Sequence, residues 1–578
     1  MTSTGPILFL VPARGGSKRV PGKNLREVGG IPLVGRAVRT GLGAAAALGG
    51  MAAGNRVVCS TDDDAVAATA EAWGGEVLRR PAGLATDTAT SLDVALHALD
   101  ALGVDFATLV LLQPTSPLVE AADVVAAVER HRAADGRGVT SVAPVHPGSW
   151  HHGTNEDGGL VAAVAVTGPD RLLAGAFYVV TPADLRASRR FVQPGITLGH
   201  ELPAERAVDV DEEHELVAAE AILAARPVRP VPIGDLVAGA GPVVVIAEAG
   251  VNHNGDVDLA LALVDAAVDA GADIVKFQTF DPGALAAAGA PSAEYQRRSG
   301  AAEDGQRAML ERLTLPAEAW PILAAHAAAR GIAFLSTPFD AASAHLLNAM
   351  DVPAFKVGSG ELTNTPFIEV VARMGRSMLI STGMSNMTEV ADAVDAVRAA
   401  GDPPLALFHC VSSYPARPAD ANLRAIETLR RAFGVPVGWS DHTPGIEMAL
   451  AAVAAGAALV EKHLTLDRRM PGPDHAASLE PAAFAEMVVG IRAVEVALGD
   501  GRKRPVAAEH DVATVARRSL HWARALAAGA TITADDIVIL RPGTGLRPRR
   551  LAEVVGRRVG RQVRQGALVT ADDIEGDA

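Results

Sequence analysis

Positively charged residues and glycines are crowded into the segment 11–24, directly after the first apolar run of the chain. The segment reads VPARGGSKRVPGKN and carries Arg14, Lys18, Arg19 and Lys23. Glycines let the backbone approach phosphate oxygens, and cations offset the charge of a triphosphate. The Gly-Lys-Ser/Thr ending of a Walker A loop is missing at the required spacing. The segment therefore predicts a nucleotide-binding loop of another type, with a solvated basic loop as the alternative.

Two aspartates near residue 210 could bind a hard cation. Asp209 and Asp211 lie in VDVDEEHEL (208–216), and side chains two apart on an extended segment point the same way. Carboxylate oxygens suit Mg²⁺, and Mg²⁺ bridging triphosphate oxygens fits a nucleotidyl transfer. An Asp-x-Asp pair is a weak signal by itself, since it also fits the start of a capped surface helix.

Farther along the chain, polar residues recur near the ends of apolar runs. Eight runs, each followed by a helical pattern, lie at 243–250, 273–279, 333–339, 354–360, 378–384, 405–415, 435–443 and 459–465. Eight β/α units in about 250 residues are typical of a TIM (β/α)₈ barrel, whose active site lies at the C-terminal ends of the strands. The polar residues near those ends are Glu248, Lys276, Gln278, Thr337, Lys356, Ser359, Ser381, Tyr414, Asp441, His442 and His463. The pattern predicts that they converge on one site.

The histidines and lysines of this set suggest its chemistry. His442 and His463 end consecutive strands, which lie about 5 Å apart, so the two imidazoles can share one divalent metal. Lys276 and Lys356 suit a pocket for phosphate and carboxylate groups. A lysine at a strand end can also form a Schiff base, as in some aldolases. Two lysines beside a histidine pair favour anion binding with metal-assisted activation of a carbonyl.

Changes in composition divide the chain. A stretch dense in Pro and Gly (226–242) and a polar, basic stretch (498–510) are typical of domain boundaries. We predict a first domain at 1–230, a linker at 231–242, the barrel at 243–499 and a small domain at 512–578. In the first domain, apolar runs at 7–13, 56–61, 107–114 and 138–145 alternate with helical patterns, which predicts an α/β sandwich with a mostly parallel sheet. In the small domain, ITADDI (532–537) and VTADDI (569–574) each place a Thr ahead of acidic residues, as in helix N-caps.

The composition excludes some classes of protein. The 578 residues carry 67 Asp+Glu and 52 Lys+Arg, a net charge of −15, which argues against binding to the phosphate backbone of nucleic acids. Two cysteines, Cys59 and Cys410, exclude a disulfide framework and favour a reducing compartment. No targeting segment or membrane-spanning run is visible. We expect a cytoplasmic protein that has neither a nucleic-acid nor a membrane partner.

Five segments of the first domain occur together in a specific order. They read PARGGSKRVPGKN (12–24), RRPAGLATDTATS (79–91), LLQPTSPL (111–118), LPAER (202–206) and VDVDEEHEL. In this combination the domain resembles the N-acylneuraminate cytidylyltransferases, or CMP-sialic acid synthetases. The resemblance implies a nucleotide-diphospho-sugar-transferase-like fold that joins CTP to a nonulosonic acid, with Mg²⁺ and release of pyrophosphate. It implies that Arg14, Ser17, Lys18 and Asn24 hold the triphosphate (Arg14 and Lys18 acting in catalysis), that Arg80 and Ser91 lie near the nucleotide, that Gln113 lies beside the sugar, and that Asp209 and Asp211 bind the metal.

The rest of the chain carries a second set of motifs. They read IAEAGVNHNG (246–255), KFQT (276–279), STPF (336–339), KVGSGE (356–361), STGM (381–384), SYP (413–415), SDHT (440–443) and EKHLTLDRRMPGPDHAASL (461–479). This part resembles the N-acetylneuraminate (sialic acid) synthases, and RRSL (517–520) with RPGTGL (541–546) resembles their antifreeze-like SAF domain. The resemblance implies condensation of phosphoenolpyruvate with open-chain N-acetylmannosamine to N-acetylneuraminate, with C–O cleavage and release of phosphate.

The second resemblance also implies roles for individual residues. His442 and His463 would hold Mn²⁺ or a similar ion that polarises the aldehyde, and Glu248 would position or deprotonate the attacking water. The implied substrate-binding residues are Lys276, Thr337, Lys356, Ser359 and Ser381 for phosphoenolpyruvate, Gln278, Tyr414 and Asp474 for the sugar, and Phe339 in the same pocket. Arg541 would reach the N-acetyl group of the sugar across a homodimer in which the SAF domain is swapped onto the other barrel.

Together these features predict a bifunctional enzyme that makes an activated sialic acid, with N-acetylneuraminate favoured as the acid. Legionaminic or pseudaminic acid is the alternative, because the motifs around phosphoenolpyruvate and metal would be the same. Two further alternatives are a half that has lost catalysis and serves for binding or oligomerisation, and a segment 512–578 that binds ice or a polysaccharide. The expected catalytic residues are present in both halves, and 512–578 has no flat array of threonines.

Overall fold

The computed structural model describes residues 5–86, 88–144, 150–154, 160–165, 171–291 and 305–576. The chain divides into two compact units, Met1–Ala497 and Leu498–Ala578. The first predicted domain and the barrel thus belong to one unit. Within the described ranges, no helix has the length and apolar character needed to cross a bilayer.

The first domain is an α/β sandwich, as predicted. Its strands β1 to β11 are Ile7–Pro12, Glu27–Val28, Ile31–Pro32, Arg56–Thr61, Glu76–Arg79, Thr108–Leu112, Val139–Pro144, Trp150–Thr154, Leu160–Ala165, Arg171–Val180 and Leu198–Glu201. Its helices are Leu33–Ala47, Asp64–Ala72, Ser91–Leu102, Ala121–Ala133, Pro182–Ser188 and Glu213–Ala225. Seven strands form a sheet in the order β11-β7-β10-β6-β1-β4-β5, in which β10 runs antiparallel to β6 and β7 and the other pairs are parallel. Strand β1 is an interior strand and is buried on both faces, which explains its unbroken apolar sequence.

The middle of the chain is the predicted (β/α)₈ barrel. Strands β14 to β21 are Val244–Gly250, Ile274–Thr279, Ala333–Pro338, Ala354–Val357, Ser377–Ser381, Leu405–Cys410, Val437–Asp441 and Leu459–His463. They pair in parallel in the order β16-β15-β14-β21-β20-β19-β18-β17, and β16 lies beside β17, which completes the ring. The helices of this part are Val257–Asp269, Pro282–Leu285, Gln306–Leu313, Ala319–Arg330, Ala341–Ala349, Thr365–Ala372, Met387–Ala399, Ala425–Phe433, Glu447–Ala454 and Pro481–Leu498. The barrel therefore brings eight strand ends to one mouth.

The segment 231–242, predicted as a linker, forms part of the barrel. It folds into a hairpin of strands β12 (Val231–Ile233) and β13 (Leu236–Ala238). Val231 and Ile233 are fully buried against the apolar lower layer of the barrel interior, which includes Leu459. Gly234 lies in the hairpin turn with φ of 61°, and the strands are too short for their alternation to stand out in the sequence.

The first domain packs directly against the barrel. Arg39 forms ion pairs with Asp392 and Asp395 on the barrel helix Met387–Ala399. Glu220 accepts a hydrogen bond from the Gly29 backbone N–H at 2.7 Å and pairs with Arg431 of the barrel at 3.3 Å. These contacts explain why the two parts form one unit.

The second unit contains the predicted N-caps. Its strands are β22 (Ser519–Trp522) and β23 (Ile537–Leu540), and its helices are Glu509–Ala516 and Leu551–Val554. Thr533 and Asp536 form one capping box, and Thr570 and Asp573 form the other. The buried carboxylates of Asp536 and Asp573 also accept hydrogen bonds from Arg524 and Arg561, so the two repeated segments are built alike.

Candidate functional site

The mouth of the barrel opens into a cavity of about 420 Å³. Twelve residues predicted from the sequence line it: Glu248, Lys276, Gln278, Thr337, Phe339, Lys356, Ser359, Ser381, Tyr414, His442, His463 and Asp474. The period of two along each strand explains this convergence. In β15, for example, Ile274 belongs to the apolar lower layer, whereas Lys276 and Gln278 on the same face reach the cavity.

Lys276 lies at the centre of a buried polar cluster. Its Nζ is 2.5 Å from Glu248 Oε2 and 3.6 Å from Glu461 Oε2, and it donates a hydrogen bond to Thr337 Oγ1 at 3.0 Å. The amide of Gln278 donates to Glu248 Oε1 at 2.9 Å. The carboxylate of Glu248 is therefore held between an ammonium group and an amide group.

Lys356 forms the second cationic point of the cavity. Its Nζ donates a hydrogen bond to Ser381 Oγ at 2.5 Å and lies 3.6 Å from Glu461 Oε1. The Ser440 hydroxyl donates to the same Glu461 oxygen at 3.0 Å. Glu461 therefore lies between the two lysines and is shared by both.

These contacts set the protonation of the cluster. Burial opposes ionisation of Glu461, but Lys276 and Lys356 outweigh it and lower its pKa to about 2. Burial likewise opposes the charged form of Lys276, but the carboxylates of Glu248 and Glu461 outweigh it and raise the lysine pKa. Burial lowers the pKa of Lys356, which Glu461 only partly offsets and the charge of Lys276 reinforces. Lys356 is thus the less fully compensated cation and the better partner for an anionic ligand.

Glu461 was not among the site residues predicted from the sequence. It lies two residues before His463 on β21, so the period of two places both side chains on the same face. That spacing was a usable signal. The sharing of Glu461 by two lysines could not be predicted in this way, because the lysines lie on β15 and β17, far from β21 in sequence.

The two predicted metal ligands lie side by side. The ring centroids of His442 and His463 are 5.5 Å apart. His442 Nδ1 lies 2.8 Å from the Val411 carbonyl oxygen, which can only accept, so Nδ1 donates and Nε2 keeps its lone pair. Burial lowers the pKa of both imidazoles, and that of His463 falls well below its usual range, so both rings are neutral near pH 7.

The donor set fits one divalent cation with open positions. The buried Nδ1 of His463 has no hydrogen-bond partner, as expected of an atom reserved for another ligand. In the described part of the chain, no group of three or more His, Cys, Asp or Glu side chains could hold a metal. Two imidazole ligands would leave the other positions of a cation between His442 and His463 to water or a substrate oxygen.

Tyr414 and Asp474 complete the wall beside the histidines. The Tyr414 ring lies 4.2 Å from the His442 ring and 5.9 Å from the His463 ring, centroid to centroid. Asp474 Oδ2 lies 3.8 Å from His463 Nδ1. Burial, reinforced by the charge of Glu248, raises the pKa of Asp474 to about 7.

In the first domain, the segment 11–24 forms a loop at the C-terminal end of β1. The Asn24 amide donates a hydrogen bond to the Arg14 carbonyl oxygen at 2.8 Å, which closes the loop. Gly22 has φ of 63°, a conformation that side chains disfavour. Ser17 is half-buried, and Lys18 is exposed.

A lysine of this loop contacts the Asp-x-Asp segment. Lys23 Nζ donates to the Val210 carbonyl oxygen at 3.1 Å and to Asp211 Oδ1 at 2.9 Å. Arg19 pairs with Asp211 Oδ2 at 2.8 Å. The carboxylate of Asp211 is therefore already bound by two cations of the loop, which the spacing of these residues in the sequence does not predict.

Asp209 has a different environment. Desolvation raises its pKa, and the charge of Asp211 adds to the effect, while a hydrogen bond from Thr115 opposes it. The backbone N–H of Val210 donates to the Thr115 carbonyl oxygen at 2.7 Å, which ties this segment to the one at 111–118. A cation near Asp209 would relieve the repulsion between the two carboxylates.

The remaining predicted residues of this domain lie on neighbouring elements. Gln113 donates to Ser91 Oγ at 3.3 Å, and Arg80 donates to the Ser60 carbonyl oxygen at 2.7 Å at the end of β4. Because β1, β4 and β6 are parallel neighbours, their C-terminal ends share one edge of the sheet. Arg541 belongs to the second unit, where it is exposed just after β23.

Comparison with known proteins identifies the parts of the chain. Residues 8–152 match a cytidylyltransferase family model, residues 263–503 the NeuB family model and residues 517–575 the SAF domain model. The chain is 42% identical to N,N'-diacetyllegionaminic acid synthase of Legionella pneumophila over 335 residues, which cover 57% of this chain and 94% of that protein. The chain belongs to the NeuB family.

Other proteins similar to this NeuB-family chain are named as synthases of different acids. It is 33% identical to N-acetylneuraminate-9-phosphate synthase of Mus musculus, over 59% of this chain and 95% of that protein. It is 30% identical to pseudaminic acid synthase of Helicobacter pylori, over 58% of this chain and 98% of that protein. The solved N-acetylneuraminic acid synthetase of Leptospira borgpetersenii is 33% identical, covers 50% of this chain and 96% of its own, and gives a TM-score of 0.44. The prediction of a cytidylyltransferase fused to a sialic-acid-type synthase with a SAF domain is confirmed.

The position of Glu461 between two buried lysines leads to a prediction about stability. Glu461→Gln should lower the free energy of unfolding of the barrel by about 3 kcal/mol, because it leaves two buried cations with one carboxylate. Urea denaturation followed by tryptophan fluorescence measures this loss.

Glu369→Gln is the matched control, since Glu369 pairs with Arg373 on the surface of a barrel helix. Its cost should stay within about 0.5 kcal/mol. Equal midpoints for the two variants would contradict the view that Lys276 and Lys356 depend on Glu461.

Proposed function

We propose that the barrel condenses phosphoenolpyruvate with an open-chain 2-acetamido sugar of the mannose type, giving a nonulosonic acid and phosphate. The first domain then transfers CMP from CTP to that acid and releases pyrophosphate. The observation that carries the proposal is the cavity in which two buried lysines face a pair of neutral imidazoles, in a chain that joins NeuB and cytidylyltransferase domains.

The cationic side of the cavity suits phosphoenolpyruvate. Lys356, the less compensated lysine, is the expected partner of its phosphate or carboxylate, with the hydroxyls of Ser381, Ser359 and Thr337 nearby. These groups would hold the enol so that its C3 faces the aldehyde carbon. The new C–C bond leaves positive charge at C2, water adds there, and phosphate departs with C–O cleavage.

The other side of the cavity suits the aldehyde. Mn²⁺ or a similar cation held by His442 and His463 would polarise the aldehyde oxygen as a Lewis acid. Glu248, kept in place by Gln278 and Lys276, would accept the proton of the water that attacks C2. Its raised pKa, caused chiefly by burial, makes it a stronger base than a solvated carboxylate.

In the first domain, the ion pairs of Asp211 suggest how CTP and Mg²⁺ bind together. Lys23 and Arg19, which hold Asp211 now, can transfer to the triphosphate oxygens. That transfer would free Asp211 to join Asp209 on Mg²⁺. Arg14 and Lys18 lie on the same loop and would neutralise charge on the leaving pyrophosphate.

The independence of the two sites is testable by single substitutions. Asp209→Ala should reduce cytidylyl transfer at least about 100-fold, because it removes a metal ligand, and should leave sugar-acid synthesis intact. His442→Ala should have the reverse effect. Coupled assays of pyrophosphate and phosphate release follow the two reactions. If either change abolished both activities in folded protein, the two-site proposal would be wrong.

We also propose a homodimer in which Arg541 of one chain completes the barrel of the other. His442→Ala and Arg541→Ala variants should each be inactive as synthases. Mixed dimers of the two should regain activity, because one barrel would then receive an intact arginine. No regain after mixing and refolding would argue against the swapped arrangement.

Two nonulosonic acids are supported as the product of the barrel. N-acetylneuraminate agrees with the motifs of both halves. N,N'-diacetyllegionaminic acid is supported by relatives of 42% and 39% identity whose names carry that acid.

A competition assay distinguishes the two candidates. The enzyme would receive phosphoenolpyruvate, CTP, Mg²⁺, Mn²⁺ and equal amounts of N-acetylmannosamine and the corresponding diacetamido-dideoxy sugar. We expect one CMP-linked acid in mass spectra, and its mass names the acid. Absence of any condensation product would contradict the proposed chemistry.

A further inference from the structure

A buried ion pair lies on the outer face of the two strands that carry the histidines. Asp441 directly precedes His442, and Lys462 directly precedes His463. In the register of β20 and β21, Asp441 lies opposite Lys462. Because successive side chains alternate between the faces of a strand, the histidines reach the cavity while this pair faces the surrounding helices. Lys462 Nζ is 2.7 Å from Asp441 Oδ2, and the two side chains are 1% and 0% exposed.

The pair also closes the turn that contains His442. Asp441 Oδ1 accepts hydrogen bonds from the backbone N–H and the hydroxyl of Thr443 at 2.8 and 2.7 Å. Lys462 Nζ donates a second bond, of 2.6 Å, to the Thr443 carbonyl oxygen. The backbone at His442 therefore lies between two residues that are tied to each other and to β21. On the other side, its carbonyl oxygen accepts from Ala416 N–H at 2.9 Å.

Stability alone does not account for this pair. The desolvation cost of two buried charges offsets much of their attraction, and apolar side chains of similar volume are often as stable. A charged, fully hydrogen-bonded pair instead fixes geometry, because it holds the ends of β20 and β21 at one spacing. The spacing of His442 and His463 depends directly on those strand ends.

We propose that Asp441 and Lys462 are positioning residues, which set the spacing and direction of His442 and His463 for a shared divalent cation. The inference rests on the proposed function of the barrel. Neither residue lines the cavity, and both would act through the backbone at the two strand ends. Outer partners of metal ligands typically change metal affinity 10- to 100-fold when they are removed.

The test compares Asp441→Asn, Lys462→Met and the double variant Asp441→Asn/Lys462→Met in the full-length protein. The double variant removes both charges and leaves none unpaired, so its urea midpoint should stay near that of the wild type. Its dissociation constant for Mn²⁺, measured by calorimetry, should rise at least about 10-fold. With Co²⁺ as the probe, its visible absorption should broaden because the two imidazoles no longer hold one geometry.

Kinetics give a second readout. The KM for the aldehyde sugar should rise and kcat should fall in the double variant. The KM for phosphoenolpyruvate should change less than about threefold, because Lys276 and Lys356 lie on β15 and β17 and keep their hydroxyl partners, Thr337 and Ser381, on β16 and β18.

Asp273→Asn serves as the matched control. Asp273 accepts hydrogen bonds from Arg492 and from the Val245 N–H at the opposite end of the barrel, each at 2.8 Å. The Asp273→Asn substitution should lower the urea midpoint without changing the Mn²⁺ dissociation constant. If the double variant bound Mn²⁺ as the wild type does, the positioning role would be wrong and the proposed barrel function would be unaffected. Wild-type protein that binds neither ion would overturn the proposed barrel function and this inference together.

Discussion

Two lysine ammonium groups lie buried at the mouth of the barrel, and the fold must keep them there with little water. A buried charge is costly unless an opposite charge and hydrogen bonds compensate it. Here Glu461 lies between Lys276 and Lys356, and Glu248 adds a second carboxylate on one side. The compensation is incomplete at Lys356, and that asymmetry makes the cavity receptive to an anion.

The same principle operates in the first domain. Lys23 and Arg19 both pair with Asp211, so the two cations and the carboxylate stabilise each other. Both clusters are therefore organised by ion pairs within the protein.

Much of this architecture was predictable because parallel strands leave a strong periodic signal. All eight barrel strands and the inward positions of Lys276, Lys356 and His463 follow from apolar runs that end in polar residues. What could not be predicted depends on contacts between distant segments. Glu461 acquires its role from lysines on other strands, and Asp211 is bound by a loop almost 190 residues away in sequence. The hairpin at 231–238 was missed because each of its strands has only three residues.

That hairpin has a practical meaning for anyone who wishes to study the synthase alone. Val231, Ile233 and Ala238 seal the apolar floor of the barrel, at the end opposite the mouth that contains the cavity. A gene fragment that begins at the first barrel strand would leave this floor open to water, at a cost of about 1.5–3 kcal/mol for each large side chain removed. The synthase module therefore begins upstream of Val231, within the Pro- and Gly-rich stretch 226–242 that resembles a linker in sequence.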